Sequence, residues 1–197
     1  MFRNDTGLVA GWCIGHVAPH PLSATLIVKG TFNLRPGGSA ERAPEQKLLG
    51  GDVYEQADSA KPLRSPSDFA WFRPWTDLLL SGTCHSPNGA SVDVLPVAFQ
   101  VGRWIKRLAI VGDRMRVPKW FFFQAPSAPL PFRAIKLSYD RSFGGPHYPL
   151  NPAGRGFRTA ILPNIYDFDG LHLEWDSRPN PAGFGPFPQT YPQRLHK

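Results

Sequence analysis

Residues Thr25 to Leu34 read TLIVKGTFNL and alternate with a period of two. Leu26, Val28, Gly30, Phe32 and Leu34 fall on one face; Thr25, Ile27, Lys29, Thr31 and Asn33 fall on the other. Successive side chains of an extended chain point to opposite faces, so this pattern, rich in β-branched and aromatic residues, reads as a half-buried strand. RPGGS, from Arg35 to Ser39, closes it as a turn.

The same signal recurs along the chain. TDLLLSGTCH (Thr76 to His85) reads as a strand, SPNG (Ser86 to Gly89) as a turn, and SVDVLPVAFQV (Ser91 to Val101) as the returning partner. Val92 and Val94 share one parity, whereas Leu95, Val97, Phe99 and Val101 share the other. Pro96 sits at that switch and cannot donate to a ladder, which predicts a bulge or an edge position. RWIKRLAIV follows, and Gly112-Asp113 marks a further hairpin into RMRV. AIKLSY (Ala134 to Tyr139) and LHLEW (Leu171 to Trp175) alternate in turn. Between residues 40 and 70 no period is clear; Pro44 and Gly50-Gly51 confine any helix at EQKLL, and the segment reads as mostly loop. Short strands separated by turns predict a mainly β fold, an antiparallel β-sandwich or a partly open barrel.

Composition fits one domain over residues 1–197, with a β core at 25–139 and a loop layer at 140–197. Of 197 residues, 42% are hydrophobic and 13% aromatic, enough to build a core without disulfides or metal. Glycine and proline number 19 and 22, well above ordinary usage, and predict many turns and long ordered loops. From Asp140 to Lys197 nine aromatics accompany nine prolines and seven glycines. Aromatics supply apolar area and prolines lower the entropy lost on ordering, so this segment reads as a layer packed on the sheet. NPAGRGF at 151–157 recurs as NPAGFGPF at 180–187, two similar turns and not a repeat architecture. The N-terminus lacks a basic segment followed by a long apolar run, and no apolar run is long enough to cross a bilayer; a cytoplasmic protein without membrane contact is expected.

Motifs that carry chemistry are not completed. SFGGPHYPLNPAGRGF (Ser142 to Phe157) holds four glycines, but Gly154-Arg155-Gly156 runs into Phe157 without the Lys-Ser/Thr of a phosphate loop, and its prolines block a helix start. Cys13, His16 and His20 are metal-ligand types, yet Pro19 and Pro21 prevent a helix that would align the histidines. No GxSxG elbow occurs, and Asp169 and His172 on a short strand would point to opposite faces. The sequence therefore assigns no catalytic, cofactor-binding or metal-binding residue, and a non-enzymatic protein is expected.

Net charge is +7. Between Val101 and Trp120 stand Arg103, Lys106, Arg107, Arg114, Arg116 and Lys119, with Asp113 the one acid. Interleaved with Trp104, Trp120 and Phe121 to Phe123, they form a candidate basic surface. It reads as a solvated hairpin, a docking face for an acidic protein, or a platform for single-stranded nucleic acid. The absence of an RNA-binding signature ranks nucleic acid last.

LIVKGTFNL, SDFAWFRPWTDLLLSG, LSYDRSFGGP, YPLNPAGRGF, LPNIYD and RPNPAGFGPF occur in this order, in a stretch from about Leu26 to Arg194. Together they resemble the DUF2169 domain proteins of bacteria, over most of the chain. Arg73-Pro74 stands where that family usually has lysine before the proline, and Tyr166 where it favours an acid. The resemblance implies an adaptor or chaperone that binds a secreted type VI effector and helps load it on a VgrG-type spike protein tipped by a PAAR-type protein. It further implies that the glycines and prolines of residues 142–157 shape an ordered surface. Candidate partner-binding or loop-shaping residues are then Arg141, Phe143, Gly144, Gly145, Asn151, Arg155, Gly156, Phe157, Asn164 and Phe184.

Overall fold

Alternation at residues 25–34 is realised as two strands with Gly30 and Thr31 between them. In the computed structural model, residues 3–16, 19, 21–57, 61–70, 76–119, 124–168, 179 and 181–186 are described. Called in chain order, the strands are β1 (Val9–Gly15), β2 (Ser23–Lys29), β3 (Phe32–Asn33), β4 (Glu41–Arg42), β5 (Val53–Tyr54), β6 (Leu63–Ser65), β7 (Gly82–His85) and β8 (Val94–Val101). They continue with β9 (Trp104–Val111), β10 (Arg116–Pro118), β11 (Gln124–Pro126), β12 (Ala134–Leu137), β13 (Phe143–Gly144), β14 (Arg155–Gly156) and β15 (Ile165–Asp167). Helical structure among the described residues is confined to short 3₁₀ turns, so the fold is mainly β. β1–β2, β3–β4, β7–β12, β8–β9, β9–β15 and β10–β11 pair antiparallel, β13 and β14 pair parallel, Ser142 bridges Ile165 in parallel, and no closed barrel forms among the described residues. The chain divides into two compact units, residues 1–53 with 65–77 and residues 54–64 with 78–197.

In the first unit β1 pairs with β2, placing Trp12 opposite Leu26 and Gly11 opposite Ile27. A methyl group at Gly11 would fall 2.8 Å from Leu48 Cδ1 and 3.2 Å from Phe69 Cζ, so the Gly11–Ile27 face is the packed one. Lys29 shares that face and donates to Asp68 at 2.6 Å, while Asp68 also accepts from the Leu49 N–H at 2.6 Å. The bulkier apolar side chains therefore point the other way: Trp12 is 59%, Ile14 53%, Leu26 56% and Val28 50% exposed. Period two is obeyed, with the larger apolar face outward.

The second unit is built on the sheet β15-β9-β8 and the pair β7-β12. Leu95 of β8, Leu108 and Ile110 of β9, Ile135 and Leu137 of β12, and Ile165 of β15 meet in one core with Tyr139, Ala182 and Phe184. Pro96 lies on an edge strand, paired one-to-one with Ala109 and without a bulge.

Strand partners differ from the sequence expectation at two turns. Pro87–Gly89 does turn, with Asn88 and Gly89 at φ 55° and 68°, but β7 pairs with β12 and not with the strand that follows it. The Ser86 N–H donates to Arg133 O at 2.8 Å and Val92 bridges to Phe132, which carries the chain past β7 to pair β8 with β9. Gly112-Asp113 likewise ends β9 without forming a hairpin: β10 pairs with β11, and Met115 bridges to Ile161. TDLLLSGTCH is strand only from Gly82. LHLEW lies outside the described residues, and the segment expected as loop contributes β15 to the main sheet.

Gly112 is fixed by close approach, since a Cβ there would lie 2.0 Å from Leu130 O. Its N–H donates to Asp93 O at 2.9 Å and the Leu130 N–H to Asp113 O at 3.0 Å, so Gly112 and Leu130 cannot part without straining one of these bonds, whichever backbone moves. Gly112→Ala is expected to cost about 3 kcal/mol or more, read as a lowered urea midpoint. A midpoint within error of the parent would show that the two backbones can separate freely.

Candidate functional site

β12 ends at Leu137, and its alternation continues to place Tyr139 in the core. A 3₁₀ turn over Tyr139–Arg141 then redirects the chain into β13. From β13 the loop leaves at Gly145 and returns at β14, parallel to β13. Successive turns carry it: the Tyr148 N–H donates to Gly145 O, the Asn151 N–H to Tyr148 O and the Gly154 N–H to Asn151 O. Proline suits such turns, because its fixed φ lowers the entropy that ordering removes.

Asn151 closes the loop from inside. It is fully buried, and its Nδ2 donates to Tyr139 O at 2.8 Å and Phe143 O at 3.1 Å. Its carbonyl accepts from the Gly145 N–H at 3.0 Å. Only glycine fits at 144, where a Cβ would stand 2.1 Å from Asn151 O. Phe143 meets Tyr148 edge-on at 5.1 Å between ring centroids, and Tyr148 meets Phe157 at 5.6 Å.

Asn164, also fully buried, ties the loop to the end of β9. Its Nδ2 donates to Val111 O and to Asp113 Oδ1, both at 2.9 Å, and its Oδ1 accepts from Arg141 Nη1 at 3.2 Å. Arg155 donates from Nε to Asp140 O at 2.8 Å, with its terminal nitrogens 3.8 Å from Asp113 Oδ1 and 4.0 Å from Asp140 Oδ2. Arg141 Nη1 lies 3.5 Å from Asp113 Oδ1. Burial, then the neighbouring Arg141 charge, hold the Arg155 guanidinium below its ordinary value, against the opposing pull of Asp140 and Asp113.

Nine of the ten candidate loop residues thus come together: Arg141, Phe143, Gly144, Gly145, Asn151, Arg155, Gly156, Phe157 and Asn164. Phe184 lies apart, buried in the core and stacked on Tyr139 at 4.6 Å. The basic stretch divides. Arg103, Arg107 and Lys119 are exposed, and Lys106 is paired with Asp167. Arg114 turns inward to Tyr166 Oη at 2.7 Å, and Arg116 donates to Gly156 O at 2.8 Å. Of the residues expected to interleave with them, Trp120 and Phe121 to Phe123 lie outside the described residues, as does His20. Tyr139 and Asp113 were missed as organising residues. The signals for them were the continued parity of AIKLSY and a lone acid among six cations.

Donors aimed at backbone carbonyls and carboxylates of the same chain hold a loop in one shape; that is the chemistry this cluster supports. The family described as "Uncharacterized protein conserved in bacteria (DUF2169)" matches residues 21–197, and the chain belongs to it. No curated protein and no solved structure matches the chain. Among the described residues no helix is long and apolar enough to cross a membrane.

Arg155→Ala should lower stability by about 1–3 kcal/mol, the range for losing a charged hydrogen-bond donor to a part-buried acceptor. Arg155→Lys should recover only part of it, because an ammonium lacks the fork. Thermal melts of the three proteins decide this; equal melting temperatures would leave Arg155 without a clasping role. Burial pushes the Tyr139 phenol up to about 12, against the N–H groups of Phe184 and Gly185, which favour the phenolate. The stability this confers is complete below pH 10, where the unfolded tyrosine titrates, and is lost as pH rises toward 12. The stability difference between the parent and Tyr139→Phe should therefore shrink by about 2 kcal/mol between pH 9 and pH 12 in urea titrations. A difference independent of pH would contradict this burial.

Proposed function

We propose that the protein is a non-enzymatic, cytoplasmic adaptor that binds a secreted type VI effector and helps load it on the VgrG/PAAR spike. Family membership and the ordered motifs supply the setting. The observation that carries the binding role is the outward face of β1 and β2, where Trp12, Ile14, Leu26 and Val28 are each at least half exposed. These four side chains share one face of the β1–β2 pair and form an exposed apolar patch rather than scattered single residues, the kind of surface that often serves for contact. A chaperone for a toxic cargo needs such a surface, and tryptophan is the side chain most enriched where binding energy concentrates. The clasped loop of residues 142–157 supports the same reading, because a surface ordered before contact loses little entropy on docking. The nucleic-acid reading has less support: with Arg114 and Arg116 turned inward and Lys106 paired, few cations remain to track a phosphate backbone.

Co-expression with the effector encoded beside this gene, followed by affinity purification, tests the proposal. The two proteins should copurify, and the effector should lose solubility when expressed alone. Trp12→Asp and Leu26→Asp should each weaken the complex at least about tenfold. Their melting temperatures should stay near the parent's, since exposed substitutions usually cost within about 0.5 kcal/mol. An effector equally soluble alone, with no copurification, refutes the adaptor reading.

A further inference from the structure

We propose that the free end of the β8–β9 hairpin is a docking surface for an acidic, amphipathic protein segment. The hairpin turns at Gly102, whose φ is +59°, and its register pairs Val101 with Trp104, Phe99 with Lys106 and Val97 with Leu108. One parity therefore runs from the core outward. Leu95 and Leu108 are buried, Val97, Phe99 and Lys106 half-buried, and at the end Val101 is 51% and Trp104 69% exposed. Ile105, on the opposite face, is 51% exposed. An apolar stripe that begins in a core thus continues past it and ends in a tryptophan.

Among the described residues, β15 pairs with β9 from Leu108 to Ile110, and β8 is an edge strand. Between Val97 and Val101 alternate residues turn their N–H away from β9 and toward that edge, whereas Pro96 has none to offer. An extended segment can add there by main-chain hydrogen bonds, with its alternate side chains reaching the apolar stripe.

Charge selects the occupant. No Asp or Glu occurs between Val94 and Val111. Lys106 is neutralised by Asp167, while Arg103 and Arg107 are exposed and form no ion pair among the described residues. The unit that carries the hairpin has sixteen Lys/Arg and nine Asp/Glu, whereas the other unit has six of each, so the whole +7 resides with the hairpin. A second copy would be repelled, and a neutral apolar segment would leave both arginines unanswered. Among the described residues, one exposed indole with Arg103 at the turn and Arg107 on the opposite face is too little for a strand of nucleic acid, which needs a cationic groove and stacked rings in series. An alternating apolar and acidic protein segment meets every feature.

The test uses the full chain and a dye-labelled (Leu-Glu)5 peptide, with (Leu-Lys)5 and a twenty-nucleotide oligo(dT) as controls, followed by fluorescence anisotropy. It does not depend on the effector, so it stands whether or not the adaptor reading does. The acidic peptide should bind with a Kd below about 100 µM, and Trp104→Ala should weaken it at least about tenfold. The double variant Arg103→Glu/Arg107→Glu should do the same while keeping the apolar side chains, which preserves the test if Trp104→Ala fails to fold. The proposal is overturned by no saturable binding up to about 1 mM, which is weaker than any specific contact of this kind. Equal affinity of the folded variants, equal binding of (Leu-Lys)5, or tighter binding of oligo(dT) overturns it as well; the last result would assign the surface to nucleic acid.

Discussion

Asn164 is the joint on which the second unit depends. Its backbone N–H donates to Arg141 O and its carbonyl accepts from the Val111 N–H, both at 2.8 Å, while its side chain reaches Val111 O, Asp113 and Arg141. One buried carboxamide thus joins the end of β9, the loop after β12 and the start of β15. A buried amide is costly unless its groups are paired, and here pairing them requires three distant segments to arrive in one arrangement. Within the loop, Asn151 acts through its Nδ2 alone, which takes the place of backbone partners that a ten-residue excursion cannot supply.

Arginine is used in two ways. Arg114, Arg116, Arg141 and Arg155 are turned to carbonyls, carboxylates or a tyrosine ring of their own chain, where a planar fork with five donors satisfies several acceptors at once. Arg103 and Arg107 stay in solvent beside exposed apolar side chains. The first group makes a glycine-rich and proline-rich loop rigid; the second leaves a field for a partner to answer. The positive charge is therefore partly structure and partly surface, a division that a net value of +7 cannot express.

Much of the local structure was legible from residues alone. Period two marked β2, β8 and β12, Asn88-Gly89 marked a turn with positive φ, and Pro96 marked an edge. These follow from short-range sterics: proline lacks a donor, Asn-Gly tolerates left-handed backbone, and extended side chains alternate. The order of weak motifs along the chain likewise carried its family. Of the loop, the family resemblance implied that glycine and proline shape it and named nine residues that gather there, whereas Phe184 belongs to the core.

Partners and the sense of each face were settled only in three dimensions. Ladder bonds join residues far apart, so no local signal says that β7 takes β12 and leaves the strand after its own turn to β9. Alternation fixes which side chains share a face but not which face is covered. In β2 the answer turns on Gly11 across the ladder, which admits Leu48 and Phe69, and on Asp68, which neutralises Lys29 on the packed side. With that side filled, Trp12, Leu26 and Val28 are left to solvent. Alternation put these residues on one face; the placement of one glycine and one carboxylate decided that this face is outward.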